Sequence, residues 1–169
     1  MIIEQGNIRV AVLADEVMAL AGREVTVTLV PAKPAARPGV RRASVEFHRR
    51  VGGLPQRAML GGTMTWSGGD ALRVEVLTCG RIELDAAPSY AGALGRPLVP
   101  GLPAEFGAAV TAGLLAEADQ AGTMVVDRAA YDPVESSIVA FRAAAVLLAA
   151  VLLGSDSGTA IRARLETFR

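Results

Sequence analysis

Lysine, cysteine and histidine each occur once in this 169-residue sequence, as Lys33, Cys79 and His48. A single cysteine excludes an intramolecular disulfide and an all-cysteine metal site, and it fits a reducing compartment. With one histidine beside it, a zinc site would have to rely on carboxylates, an uncommon ligand set, so no metal is expected. Because the only lysine precedes Pro34, the G-x-x-x-x-G-K-[ST] phosphate loop is absent, and no G-x-G-x-x-G follows a strand and opens a helix. Nucleotide hydrolysis and dinucleotide binding therefore have no sequence support, and no cofactor is expected. Aromatic residues make up 4% of the chain, too few for a platform on which bases stack. Met1 to Val10 carries Glu4 and Arg9 but no basic region followed by an apolar one, so a secretory signal is not expected and a cytoplasmic location is. The longest apolar run, Ile138 to Leu153, is interrupted by Arg142 and is shorter than the roughly 20 residues that cross a bilayer. It reads as a buried core helix, and no membrane partner is expected.

What the chain does contain places it among globular proteins: 51% of residues are apolar and 20% charged, enough to build the core of one domain. Alternating apolar and polar residues predict strands at Ile8 to Leu13, Glu24 to Val30, Ala43 to Arg49 and Leu72 to Val76. The prolines between Pro31 and Arg42 predict a loop. The glycine pairs of Val51 to Gly69 predict turns around a short hairpin centred on Leu60 to Trp66. A further strand is predicted around Ile82 and Leu84, and a short one at Thr123 to Val126. Phe106, Val110 and Leu114 recur at helical spacing behind Pro103, predicting a helix from Pro103 to Ala118. Gly107 and Gly113 lie inside it, which implies a bend or a close neighbouring backbone. Ser136 or Ser137 caps the second helix. Strands first and helices afterwards, with one strand between them, predict an α+β fold with both helices on one face of a sheet.

Net charge is zero, so any electrostatic attraction must come from its distribution. Lys33, Arg37, Arg41, Arg42, Arg49, Arg50 and Arg57 face only Glu46 within their segment, a local net charge of +6. Arginines at this density either fork onto phosphates, giving salt-sensitive nucleic-acid affinity, or form a solvated loop and strand edge. Asp127, Asp132 and Glu135 precede the last helix. They fit acid-base or divalent-cation chemistry, or the simpler role of acids favoured near a helix N-terminus. Cys79 and His48 would have to meet in space to act together. Otherwise Cys79 is a small apolar residue at a strand end and His48 a surface position.

The run Leu98-Val99-Pro100-Gly101-Leu102-Pro103-Ala104-Glu105-Phe106, with Ala109-Val110 and Gly113-Leu114 after it, resembles the segment opening the long helix of domain IV of elongation factor G. Tyr131-Asp132-Pro133-Val134-Glu135-Ser136-Ser137, then Ala140-Phe141-Arg142 and an alanine-rich helix, is similar to that domain's tip loop and second helix. The resemblance implies the ribosomal-protein-S5 domain 2-like architecture: a two-layer sandwich with a mixed four-stranded sheet, two helices on one face and a left-handed crossover. Residues 1–67 would then be a β-rich N-terminal extension, 68–155 the core and 156–169 a C-terminal tail. Asp127, Tyr131 and Asp132 would occupy the tip loop, with Asp132 where the family has histidine.

The resemblance implies a non-catalytic protein that binds the ribosome, other structured RNA or a translation partner, without the factor's GTPase. Lys33, Arg37, Arg41, Arg42, Arg49, Arg50 and Arg57 are the expected RNA contacts, and DNA is not expected. The alternative is a protein-interaction or homo-oligomerisation module in which RNA binding is lost. A third reading is an enzyme using His48, Asp127, Asp132 and Glu135.

Overall fold

The computed structural model describes residues 1–13, 20–36 and 38–168. In chain order these form β1 (Ile2–Gln5), β2 (Ile8–Leu13), β3 (Glu24–Pro31), β4 (Gly39–Val51), β5 (Leu54–Trp66), β6 (Ala71–Thr78), β7 (Val99–Pro100), α1 (Ala104–Leu115), β8 (Gly122–Tyr131), α2 (Ile138–Leu153) and α3 (Ser157–Leu165), with a final 3₁₀ turn at Glu166–Phe168. The α+β expectation holds. One mixed sheet runs in the order β1-β2-β4-β5-β8-β6-β3, and β7 pairs with the end of β8. All pairs are antiparallel except β6 with β8. A parallel pair cannot be joined by a tight turn, and the connection between β6 and β8 carries α1.

Gly52 and Gly53, at φ 56° and 84°, make the two-residue turn between β4 and β5 that only residues tolerating positive φ form easily. This turn fixes the register, and the register fixes the faces. Ala43, Val45 and Phe47 lie opposite Gly62, Leu60 and Ala58 and point toward the helices, whereas Glu46 and His48 point to the opposite, outer face. Helix α2 lies over β4 and β5, α1 packs beside it over β6, and α3 packs on α2 and β1. Buried on nearly every side, α2 has the all-round apolar sequence such a position requires. Phe106 of α1 stacks on Phe141 of α2 with ring centroids 4.6 Å apart. On the outer face, the connection between β6 and α1 folds back over the sheet, covering a small second cluster of Met59, Leu98 and Ala130. Among the described residues no helix is long and apolar enough to cross a membrane.

Several local expectations need correction, among them the short strand at Thr123 to Val126, which is the ten-residue β8. Leu60 to Trp66 is not a hairpin: it belongs to β5, a single strand of 13 residues, and Gly61-Gly62 marks a register shift where Asp127 is the extra residue of β8. Such a bulge bends a strand without ending it. No strand forms at Ile82 and Leu84. Strand β4 begins at Gly39, inside the predicted loop. The C-terminal tail contains helix α3, whose N-cap Asp156 accepts a hydrogen bond from the Thr159 amide at 2.7 Å. Both long helices form, α2 over Ile138–Leu153 as expected and α1 over Ala104–Leu115, shorter than Pro103 to Ala118 and with Pro103 as its N-cap instead of its first helical residue. Ser137 caps α2 by accepting from the Ala140 amide, and a Cβ at Gly113 would lie 2.6 Å from the Arg142 carbonyl oxygen, so a close backbone neighbour explains that glycine. Residues 1–67 contribute strands β1 to β5 to the same sheet as residues 68–155.

Candidate functional site

The arginine-rich segment does not fold into one surface. Strand alternation sends Arg41 and Arg49 to the helix side and Arg42, Arg50 and Arg57 to the outer side. Arg41 donates to the carbonyls of Val151 (3.1 Å) and Ser155 (3.4 Å). It thus satisfies the C-terminal end of α2, where a cation is favoured. Arg49 and its register partner Gln56 line a cavity of about 430 Å³ between the sheet, the start of α2 and Phe168. Lys33 is exposed and paired with Asp119 at 3.3 Å. Arg42 donates to Thr63 Oγ1 at 3.2 Å. Arg37 lies outside the described residues.

Arg57 is buried on the outer face. Its Nε and one terminal nitrogen donate to Glu46 Oε1 at 2.8 and 2.6 Å, and its other terminal nitrogen donates to the Arg96 carbonyl at 2.6 Å. The second oxygen of Glu46 accepts from the amides of Ala93 and Leu94. The ion pair therefore fastens the loop above β4 and β5 to the sheet. Gly92 is required in that loop, because a Cβ there would fall 2.1 Å from an Arg57 guanidinium nitrogen.

Beside this pair is a polar cavity of about 190 Å³. Its floor is a row across three strands, since Arg9 of β2 is opposite His48 of β4 and His48 is opposite Arg57 of β5. Arg50 lies two residues along β4 on the same face, Leu94 to Arg96 form the roof, and Glu135 closes one side. Arg9 holds the roof by donating to the Leu94 carbonyl at 3.2 Å, and it is paired with Glu4. Four arginines thus line the cavity with Glu135, and two of them are already paired, Arg57 with Glu46 and Arg9 with Glu4. His48 lines the cavity, and its buried Nδ1 has no hydrogen-bond partner. Burial pushes the His48 pKa down, Glu135 opposes this, and the arginines at 57, 50 and 9 add to the depression. At neutral pH the imidazole is therefore uncharged and the cavity's positive character comes from guanidinium groups, which suit oxyanions.

Of the proposed acid-base set only His48 and Glu135 meet here. Asp127 sits in β8 and pairs with Arg128 at 2.9 Å. Asp132 accepts at Oδ1 from the amides of Val134 and Glu135, holding the turn before α2. Tyr131 is buried at the end of β8, and its hydroxyl accepts from the Glu83 amide. The three residues assigned to a tip loop are thus two strand residues and a turn cap. Cys79 lies elsewhere, and burial pushes its thiol pKa up. Among the described residues no serine, threonine or cysteine lines the cavity. Among the described residues no cluster of three histidine, cysteine or carboxylate side chains is placed to hold a metal ion. Arg9 and Arg96 fall outside the basic segment read from the sequence. The signal available was the Gly52-Gly53 turn, which places Arg57 opposite His48 and diagonal to Glu46.

Comparison with known proteins gave no match: no family model, curated protein or solved structure matches this chain.

Proposed function

We propose that this chain is a non-catalytic binding protein that grips phosphate groups of structured RNA, ribosomal RNA foremost, through Arg9, Arg50 and Arg96 around the outer-face cavity. The observation that carries the reading is the convergence of those guanidinium groups on a polar cavity that His48 also lines. Arg57 is buried in its pair with Glu46, so it serves as the floor and not as a contact, whereas the pair of Arg9 with Glu4 is solvent-exposed and weak enough to exchange for a phosphate. The resemblance of residues 98–142 to domain IV of elongation factor G, with its ribosomal-protein-S5 domain 2-like fold, supports RNA as the source of the phosphates. The packing of α1 beside α2 over the sheet is compatible with that fold. Asp132 is occupied in its turn, so contact falls to the arginine cavity and not to a tip loop.

Fluorescence anisotropy of a labelled ribosomal RNA hairpin, measured in a KCl series, tests this reading. Affinity should fall steeply with salt, and the double change Arg50→Ala with Arg96→Ala should flatten the slope by roughly 1 to 2 units in log–log form. Absence of salt-dependent association at low ionic strength would overturn the RNA reading, as would a double variant that binds like the parent.

A further inference from the structure

Strand β3 ends the sheet opposite β1, and the two edges are built differently. β1 is four residues long and has α3 packed on it, whereas β3 runs for eight residues with one side paired to β6 and no described strand on the other. Natural edge strands are usually blunted by a central charge, a bulge or brevity. β3 carries such features only at its ends, Glu24 and Pro31: its register with β6 is continuous, and no charged residue occurs from Val25 to Val30.

Val25, Val27 and Leu29 are opposite Leu77, Glu75 and Arg73. They therefore point to the outer face, where their exposures are 52%, 44% and 67%. The backbone polarity follows from the Ala32 amide, which donates inward to the Asp70 carbonyl across the same ladder. Inward and outward groups alternate along an antiparallel strand, so the outward amides and carbonyls belong to Val25, Val27 and Leu29, the residues that carry the exposed apolar stripe. Pro31, next in the outward series, has no N–H to offer and ends the series.

From this geometry we infer that β3 is a self-association edge, on which a second copy of the chain adds its own β3 antiparallel across a two-fold axis through Val27. In that register Val27 meets the second copy's Val27, and Val25 meets its Leu29. Outward backbone groups meet outward groups, and the two apolar stripes join on one face. Side chains of the same strand face keep the same face only when the paired residue numbers have equal parity, and this register satisfies that condition. No like charges are brought together between Val25 and Pro31. Because the joined stripes lie side by side on one face, only part of their exposed surface is covered, well short of a standard stable interface of about 1,200 Å², which points to a reversible, concentration-dependent dimer. The two-fold closes the assembly at two copies, because each copy uses the one long edge left unpaired among the described residues. The sheet becomes continuous, with both arginine cavities on its outer face.

Sedimentation velocity on the full chain, from about 1 µM to several hundred µM, should show a monomer becoming a dimer, with a dissociation constant in the range of about 10 to 100 µM. Val27→Lys should weaken association tenfold or more while leaving the circular dichroism spectrum unchanged. If that variant folds poorly, Val27→Cys in a Cys79→Ser background provides the second readout. Residues of a hydrogen-bonded antiparallel pair lie about 5.5 Å apart at Cα, within disulfide reach, so mild oxidation should yield a covalent dimer, whereas Thr65→Cys in the same background should not. A chain that stays monomeric across the range would overturn the inference. So would a dimer indifferent to Val27→Lys, or open-ended oligomers in place of a dimer. Neither experiment involves RNA or the cavity arginines, so this inference and the proposed function stand or fall separately.

Discussion

Arg57 and Glu46 are the largest departure from a surface reading of the basic segment. Their side chains are 2% and 0% exposed, and each is held by more than the other, with the Arg96 carbonyl on one side and the Ala93 and Leu94 amides on the other. Removing one member of a buried pair leaves an uncompensated charge, whereas replacing both removes the desolvation cost as well. Arg57→Met should therefore lower unfolding free energy by about 3 to 5 kcal/mol, read from urea midpoints. The double change Arg57→Met with Glu46→Leu should cost clearly less. It should not be neutral, because the Ala93 and Leu94 amides lose their acceptor. Faster amide exchange at these two residues in the double variant would identify the loop as the element released. A single variant as stable as the parent would mean that the pair does not hold the loop.

At the scale of elements, the contact between α1 and α2 depends on Gly113. A Cβ at this position would sit 2.6 Å from the Arg142 carbonyl oxygen and 2.7 Å from the Ala145 Cβ, so the two helix backbones would have to separate. Alanine is favoured over glycine inside a helix by about 1 kcal/mol, yet overpacking of this kind costs about 1 to 3 kcal/mol. Gly113→Ala should thus be net destabilising and lower the melting temperature. Gly107→Ala is the comparison, because its Cβ would meet one side-chain atom, Thr78 Cγ2, at 3.1 Å and no backbone, so a shift of a few tenths of an ångström relieves it and the change should cost clearly less than Gly113→Ala. Equal effects at the two positions would remove the close-approach explanation. These two helices were legible in the sequence because their apolar spacing is local. The extent of β5 was not, since Gly61-Gly62 reads as a turn until β8 is present to form a bulge against it.

For the molecule as a whole, the single histidine gives a pH dependence whose sign is fixed. The folded state lowers the pKa of His48, mainly by burial, so it binds the proton less readily than the unfolded chain does. Stability from this source is full above the unfolded value of about 6.5 and declines as pH falls from there through the lower folded value. Denaturation midpoints should therefore drop between about pH 7 and the folded pKa, and His48→Gln should flatten the curve in that window. Proton NMR of the only imidazole checks the cause directly: a pKa at or above the unfolded value would contradict it. Because His48 lines the arginine cavity, the same titration also reports on the candidate site.

By itself the sequence determined the absence of a phosphate loop, the α+β class, the existence of the two long helices though not the ends of the first, and the apolar alternation of β3. All of these rest on motifs or on periodicities within a dozen neighbouring residues. Only the tertiary structure decided which arginines are free. Alternation shows that Arg49 and Arg50 point to opposite sides, but not which side the helices cover. It also cannot show that the loop bearing Gly92 to Arg96 returns to bury Arg57 and bring Arg96 beside Arg9. Those outcomes depend on pairings between residues far apart in the chain, where a shift of one residue exchanges the two faces of a strand.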